Sequence, residues 1–111
     1  MNERDLQCLE HINRHYQELL EEMTMIDSFE QFCTGGVVTK AIKMDILQIA
    51  ENINCLSKES ILPINSVDLR GIIDIRNHIA HGYATIDDEI IWNVIKIRLP
   101  KLIKDINELN K

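Results

Sequence analysis

The segment LRGIIDIRNHIAHGY, residues 69–83, joins an apolar helical pattern to several polar side chains. At about 100° per residue, one face of the predicted helix is apolar and carries Leu69, Ile72, Ile73, Ile79 and Ala80. Arg76 and Tyr83 fall on the same face. A guanidinium cannot lose its charge, so Arg76 must be paired, extend to water, or face a polar cleft between subunits.

A polar column lies beside this face and consists of Arg70, Asp74, Asn77 and His81, at spacings of four, three and four residues. Asn77 precedes His81 by one turn, so its amide could fix the imidazole tautomer, with Asp74 two turns away. His81 also lies near the predicted end of the helix, where the helix dipole favours the imidazolium form.

A titratable histidine near a permanent cation suits phosphodiester cleavage. His81 would transfer protons, and Arg76 would stabilise charge on the phosphate in the transition state. The two side chains are about 140° apart on a helix, so one helix cannot easily aim both at one phosphate. Either the helix unwinds at Gly82, or two copies form a composite cleft at a twofold interface, which we favour because it also explains the arginine.

The rest of the chain also has helical periodicity. Its predicted core-facing stripes include Ile12, Leu19 and Leu20, then Ile42, Ile46, Ile49 and Ile53, and finally Leu99, Leu102 and Ile106. We expect a first helix over about residues 4–26, a second from Gly36 to near Ser57, and a loop over residues 58–65. The third helix begins at Ser66, and Thr85 is predicted to cap a fourth that Pro100 kinks. The predicted fold is an all-α bundle of four to five helices.

Length and composition exclude several classes of protein. The 111 residues form one domain, 1–111. They contain no membrane-spanning run and no secretory signal, so we expect a cytoplasmic protein with reduced cysteines. The formal net charge is -6, so the overall field would repel nucleic acid and any RNA contact must be local. Local contacts could come from a basic strip of Arg70, Lys96, Arg98, Lys101 and Lys104, although a solvated face is equally compatible.

The stretch DIRNHIAHGY, residues 74–83, resembles the R-x4-H-x-Y motif of the HEPN superfamily, in particular of HepT toxins. The resemblance extends from near residue 5 to residue 109, and includes the segments KMDILQIAENINCLS and IIWNVIKIRLPKLIKDI. It implies an up-and-down HEPN-type bundle that forms a homodimer, with the active cleft at the interface.

The resemblance also implies a metal-independent endoribonuclease without a cofactor. Arg76 and His81 take the catalytic positions, Asn77 the adjacent polar position, and Tyr83 the position that an MNT-type nucleotidyltransferase antitoxin AMPylates. The 2'-hydroxyl of RNA would attack the adjacent phosphate, which explains why RNA and not DNA is cut.

Other interpretations remain open. The domain could be a catalytically silent HEPN module that binds a nucleotidyltransferase or a nucleotide, or a bundle whose dimer seam happens to include Arg76. His11 and His15 have the i, i+4 spacing of a metal-binding pair, but without a third His or Cys nearby we interpret them as a solvated helix face.

Overall fold

The computed structural model describes residues 1–64, 66–81 and 88–111, apart from the side chains of residues 66 and 80. Its elements are α1 (Glu3–Met23), α2 (Phe29–Cys33), α3 (Gly36–Asn54), α4 (Lys58–Ile61), α5 (Ser66–Ala80), α6 (Asp88–Asn93), a π-helical segment (Val94–Arg98) and α7 (Leu99–Glu108). These ranges contain no strand, which confirms the all-α prediction. Within them, no helix has the length and apolarity needed to cross a membrane. Gly82, Tyr83 and the predicted cap Thr85 lie outside the described residues.

The core is mostly aliphatic and lies largely between the long helices, with Phe32 of α2 as its buried aromatic residue. Helix α1 packs along α3, and α3 packs against α5. The side chains with no exposed surface include Ile12, Leu19, Ile42, Ile49, Ile53, Leu99, Leu102 and Ile106. These residues are the predicted apolar stripes, so the period of the sequence identifies the buried face correctly. Leu20 is an exception, because it was predicted on the core face of α1 and is 41% exposed.

Two short helices were missing from the sequence interpretation. Helix α2 begins after Ser28, whose hydroxyl accepts a hydrogen bond from the Gln31 N–H at 3.1 Å. Helix α4 begins after Ser57 and occupies part of the predicted loop, so the prediction of a loop was wrong over Lys58–Ile61. Serine caps stabilise both first turns, but helices of four or five residues are too short to show a period.

Helix α3 starts at the second residue of a glycine pair. Gly35 and Gly36 have φ angles of +82° and +84°, which side-chain-bearing residues rarely adopt. The glycines therefore allow the chain to change direction between α2 and the long α3, which begins at Gly36, where the sequence predicted the start of the second helix.

The start of α1 is tied to the connection between α3 and α4. Asp5 is buried and accepts hydrogen bonds from the Ser57 N–H, the Ser57 hydroxyl and the Ser60 hydroxyl at 2.8–2.9 Å. The Ser57 N–H, followed by the Ser60 hydroxyl, lowers the pKa of Asp5 to about 2. The aspartate thus stabilises this end of the bundle as a carboxylate.

The C-terminal helical region, which runs from α6 through the π-helical segment to α7, changes its hydrogen-bonding pattern just before Pro100. In the π-helical segment, the Leu99 N–H donates to the Val94 carbonyl, five residues back. Pro100 then occupies the first turn of α7, where its missing N–H is tolerated. The interruption that the proline predicted is therefore accommodated by one wide helical turn, which also changes the direction of the side chains that follow.

Candidate functional site

Helix α5 positions the motif. Its buried side includes Asp68, Ile72 and Ile75, of which the two isoleucines are 1% and 4% exposed. Ile75 was not on the predicted apolar face, and Arg76 is only partly buried. The buried face is therefore rotated relative to the prediction, and Arg76 lies at its edge.

Arg76 is paired within its own chain. Its Nε donates to Oε1 of Glu51 on α3 at 2.6 Å, and its Nη1 donates to Oδ1 of Asn77 at 2.9 Å. The two side chains of the ion pair are 31% and 40% exposed. Of the three alternatives for an arginine on an apolar face, the structure shows pairing. The two bonds use two of the five N–H groups of the guanidinium.

His81 follows α5 directly. Its side chain is exposed, and its backbone N–H donates to the Asn77 carbonyl at 3.0 Å, which extends the helical pattern by one residue. Asp74, Asn77, His78 and His81 line a small polar cleft of about 370 Å³. The structure thus brings together three members of the predicted polar column, whereas Arg76 connects to this cleft through Asn77.

Two nearby residues were missed by sequence reasoning. His78 lines the cleft with Asp74 and His81, which lie four residues before it and three after it. That spacing on one helix could have identified it. Glu51 comes from a different helix, 25 residues before Arg76, and helical periodicity does not specify partners between helices.

The predicted basic strip is divided among several partners. Arg98 Nη1 and Lys101 Nζ lie 3.9 and 3.8 Å from the Asp68 carboxylate. Lys96 lies over the Trp92 ring, 4.9 Å from its centroid. Arg70 and Arg98 line a larger cavity of about 720 Å³ between α5 and the C-terminal helical region.

A second polar cluster lies between α1 and α3. His15 Nδ1 is 3.0 Å from Asp45 Oδ1 and 3.6 Å from Glu18 Oε2, and these ligand atoms all lie within 4.8 Å of one another. His15 is therefore packed against α3, not part of a solvated face as predicted. Burial, a hydrogen bond with Asp45 and neighbouring carboxylates raise the pKa of Glu22 to about 8. A cation could bind here, but the cluster is on a different helix pair from the motif.

The site can bind and polarise an anion. Arg76 supplies a fixed positive charge that Glu51 and Asn77 orient, and His81 supplies an imidazole, a side chain that can donate or accept a proton. These are the elements of acid–base chemistry at a phosphodiester. Tyr83 lies outside the described residues.

These features define a class of protein: an all-helical domain in which an arginine–asparagine pair adjoins a histidine-lined cleft. The sequence profile of the family described as "Ribonuclease HepT-like" matches residues 13–109. The chain belongs to the HepT-like ribonuclease family.

Two curated relatives agree with this assignment. The chain is 32% identical over 101 residues to "Putative RNase TTE0752" of Caldanaerobacter subterraneus subsp. tengcongensis, which covers 91% of this chain and 89% of that protein. It is also 29% identical over 84 residues to "Putative RNase MJ0127" of Methanocaldococcus jannaschii. That alignment covers 76% of this chain and 69% of the relative. No solved structure is a significant match.

Proposed function

We propose that this chain is a metal-independent endoribonuclease, the toxin of a HepT/MNT-type toxin–antitoxin system, with Arg76 and His81 as its catalytic residues. The observation that carries the proposal is the hydrogen bond from Arg76 to Asn77, at 2.9 Å, beside the cleft that Asn77 shares with His81. Membership of the HepT-like ribonuclease family and two relatives named as RNases support the same reaction.

The reaction is an internal transesterification, in which the phosphorus of an RNA phosphodiester exchanges its 5'-oxygen for the neighbouring 2'-oxygen. The 2'-hydroxyl loses its proton and attacks the adjacent phosphorus, and the bond to the 5'-oxygen breaks as that oxygen takes up a proton. The products are a 2',3'-cyclic phosphate and a 5'-hydroxyl. His81 moves a proton at one of these oxygens, and the Arg76 guanidinium stabilises the added negative charge on the phosphate. Asn77 and the partly buried carboxylate of Glu51 hold that guanidinium in place.

A homodimer would complete this site. Arg76 forms an ion pair with Glu51 on α3, whereas His81 lines the cleft that Asn77 also lines and that Arg76 does not reach. Two copies related by a twofold axis would place both motifs around one cleft, so that an arginine and a histidine can meet the same phosphate.

Neutralisation would occur by AMPylation of Tyr83, catalysed by an MNT-type nucleotidyltransferase antitoxin. The tyrosine follows His81 by two residues in the chain. A nucleotide attached there would add a bulky anion two residues from His81 in the chain, which would block RNA and repel its phosphates.

Cleavage is tested with matched substitutions. We expect Arg76→Ala and His81→Ala to abolish RNA cleavage and growth arrest without unfolding the protein. The controls are Arg14→Ala and His11→Ala, which remove the same two residue types from the exposed surface of α1, where Arg14 Nη2 lies 3.1 Å from His11 Nδ1. Full activity in the Arg76 and His81 variants would refute the assignment.

Modification is tested by intact mass. The chain has two tyrosines, so Tyr16 is an internal control. Incubation with the nucleotidyltransferase and ATP should add one or more AMP units to the wild type and to Tyr16→Phe, but none to Tyr83→Phe. An unchanged mass in the wild type, or modification that persists in Tyr83→Phe, would overturn this part of the proposal.

A second candidate is a catalytically silent HEPN module that binds a nucleotidyltransferase or a nucleotide. The net charge of -6 and the Glu51 carboxylate on Arg76 favour it, because both weaken attraction for RNA. Under this alternative, the Arg76 and His81 variants lose nucleotide or partner binding, and no preparation cleaves RNA.

A further inference from the structure

The larger cavity lies next to the proposed catalytic cleft. It has a volume of about 720 Å³ and lies between α5 and the C-terminal helical region. Asp74 and His78 line both the cavity and the cleft that contains His81. A ligand in the cavity would therefore be next to any phosphate held at His81. Its volume is within the range of about 300–1,000 Å³ that is usual for small-molecule sites.

Local features of two helices open this cavity. Gly71 lies in the middle of α5, where an added Cβ would meet Arg98 Nη1 at 3.9 Å, an ordinary van der Waals distance. The glycine costs helix stability but leaves that side of α5 without a side chain. Opposite it, the π-helical segment ends at Arg98, and π-helical turns occur frequently at functional sites.

The lining combines three kinds of chemistry. Val67 and Ile90, which are 62% and 55% exposed, supply most of the accessible apolar surface, and the nearly buried Ile75 and Val94 also line the cavity. Arg70 and Arg98 add two cations to the lining, and Arg98 Nη1 lies 3.9 Å from the Asp68 carboxylate. This second group can bind phosphate or stack on a base.

Carboxylates complete the lining. Asp74 and Glu89 balance the two arginines, so the cavity does not resemble a site for a simple polyanion. Carboxylates accept hydrogen bonds from the amino and imino groups of bases. A ligand that fits all three features has an anion, an apolar ring face and hydrogen-bond donors, as a nucleotide does.

We propose that this cavity binds one nucleotide of single-stranded RNA, next to the phosphate at His81, with Arg98 on its phosphate and the apolar side chains of Val67 and Ile90 against its base. The proposal rests on the ribonuclease function proposed above and adds a substrate-binding subsite to it. From Arg70 to His81 along α5 is about 16 Å at 1.5 Å per residue, a length that a short single strand can follow.

Binding of a non-cleavable RNA tests the subsite independently of catalysis. The ligand is a fluorescent, fully 2'-O-methylated single strand about 12 nucleotides long, which is within the usual site size of single-strand binding domains. We expect Arg98→Ala and Gly71→Ala each to weaken binding about tenfold. Arg14→Ala on α1 removes the same charge and should change binding less than about twofold.

Thermal unfolding controls for misfolding. Gly71→Ala should keep or raise the melting temperature, because alanine stabilises a helix interior and its methyl group fits without a clash. Weaker binding by this variant then reports a narrower cavity. Unchanged binding in both Gly71→Ala and Arg98→Ala would overturn the proposal.

Cleavage of two substrate lengths separates the subsite from the catalytic function. Arg98→Ala should reduce kcat/KM for the long unmodified strand at least fivefold more than for a dinucleoside monophosphate, which is too short to span both clefts. Equal losses on both substrates would overturn the subsite. If the wild type cleaves neither substrate, the ribonuclease function fails, while the binding result still decides the cavity.

Oligomeric state is measured on the same samples. If Arg98→Ala or Gly71→Ala changes the dimer–monomer equilibrium and RNA binding changes only in parallel with it, the cavity is covered by a second copy of the chain. That result would overturn the RNA subsite.

Discussion

Substitution of Glu51 by glutamine tests how Arg76 is held. The carboxylate accepts the Arg76 Nε–H at 2.6 Å, and Glu51→Gln keeps the shape of this partner but removes its charge. Because the two side chains are 31% and 40% exposed, the ion pair stabilises the fold by only about 0.2–1 kcal/mol. The melting temperature should therefore fall by a few degrees at most.

The expected effect on catalysis is larger than the effect on stability. An arginine side chain has about 2 kcal/mol of rotamer entropy. If Glu51 supplies about half of the ordering of the Arg76 side chain and Asn77 supplies the rest, loss of the Glu51 contribution raises the activation free energy by about 1 kcal/mol. This corresponds to a decrease of about fivefold in kcat. KM for RNA should not rise, because the variant removes a negative charge beside the phosphate site.

The assay is steady-state cleavage of a fluorogenic RNA, with kcat and KM measured separately. Glu10→Gln is the matched control, because Glu10 is an exposed carboxylate on α1 and its substitution gives the same change in net charge. An unchanged kcat in Glu51→Gln, or a rise in KM alone, would refute a positioning role for Glu51. A fall in kcat that merely follows a large loss of folded protein would refute it as well.

Three predictions concern stability. Glu22 has a pKa raised to about 8, so its contribution to stability decreases as pH rises from about 4.5 through 8. In urea titrations above pH 8, Glu22→Gln should be more stable than the wild type by about 1–2 kcal/mol, a value reduced from the full pKa shift because the side chain is partly exposed. Near pH 4 the two proteins should have the same stability. Asp5 has a pKa lowered to about 2, so Asp5→Asn should lower the melting temperature at pH 7, and the gap should narrow as pH falls from about 4 to 2; a gap independent of pH would contradict the carboxylate bonds to Ser57. Ile49→Ala should cost about 2–5 kcal/mol in unfolding free energy, whereas Ile97→Ala, 65% exposed, should cost less than about 0.5 kcal/mol; similar losses would contradict the assigned core.

The long helices were predictable because their apolar residues repeat with the period of the helix. Ile42, Ile46, Ile49 and Ile53 on α3 are all buried, although isoleucine prefers strands. In contrast, α2 and α4 contain four or five residues and depend on serine caps and packing, as when Phe32 packs against Trp92 at 5.3 Å between ring centroids. Such helices are specified by tertiary contacts more than by their own sequence.

The site was only partly predictable, because spacing in the sequence places residues within one helix but does not specify contacts between helices. Asp74, Asn77 and His81 share one helix, so their spacing was enough to place them together at the cleft. The partner of Arg76 was not predictable, since Glu51 belongs to α3 and its reach depends on how α3 and α5 pack. The rotation of α5 that buries Ile75 and leaves Arg76 at the edge also depends on that packing.

The most direct test of the central claim is the chemistry of the RNA ends that the purified protein produces in the presence of EDTA. The account predicts 2',3'-cyclic phosphate and 5'-hydroxyl ends by mass spectrometry, and no product from Arg76→Ala, His81→Ala or a 2'-O-methylated RNA. Products with 5'-phosphate ends, cleavage abolished by EDTA, or undiminished cleavage by His81→Ala would contradict it.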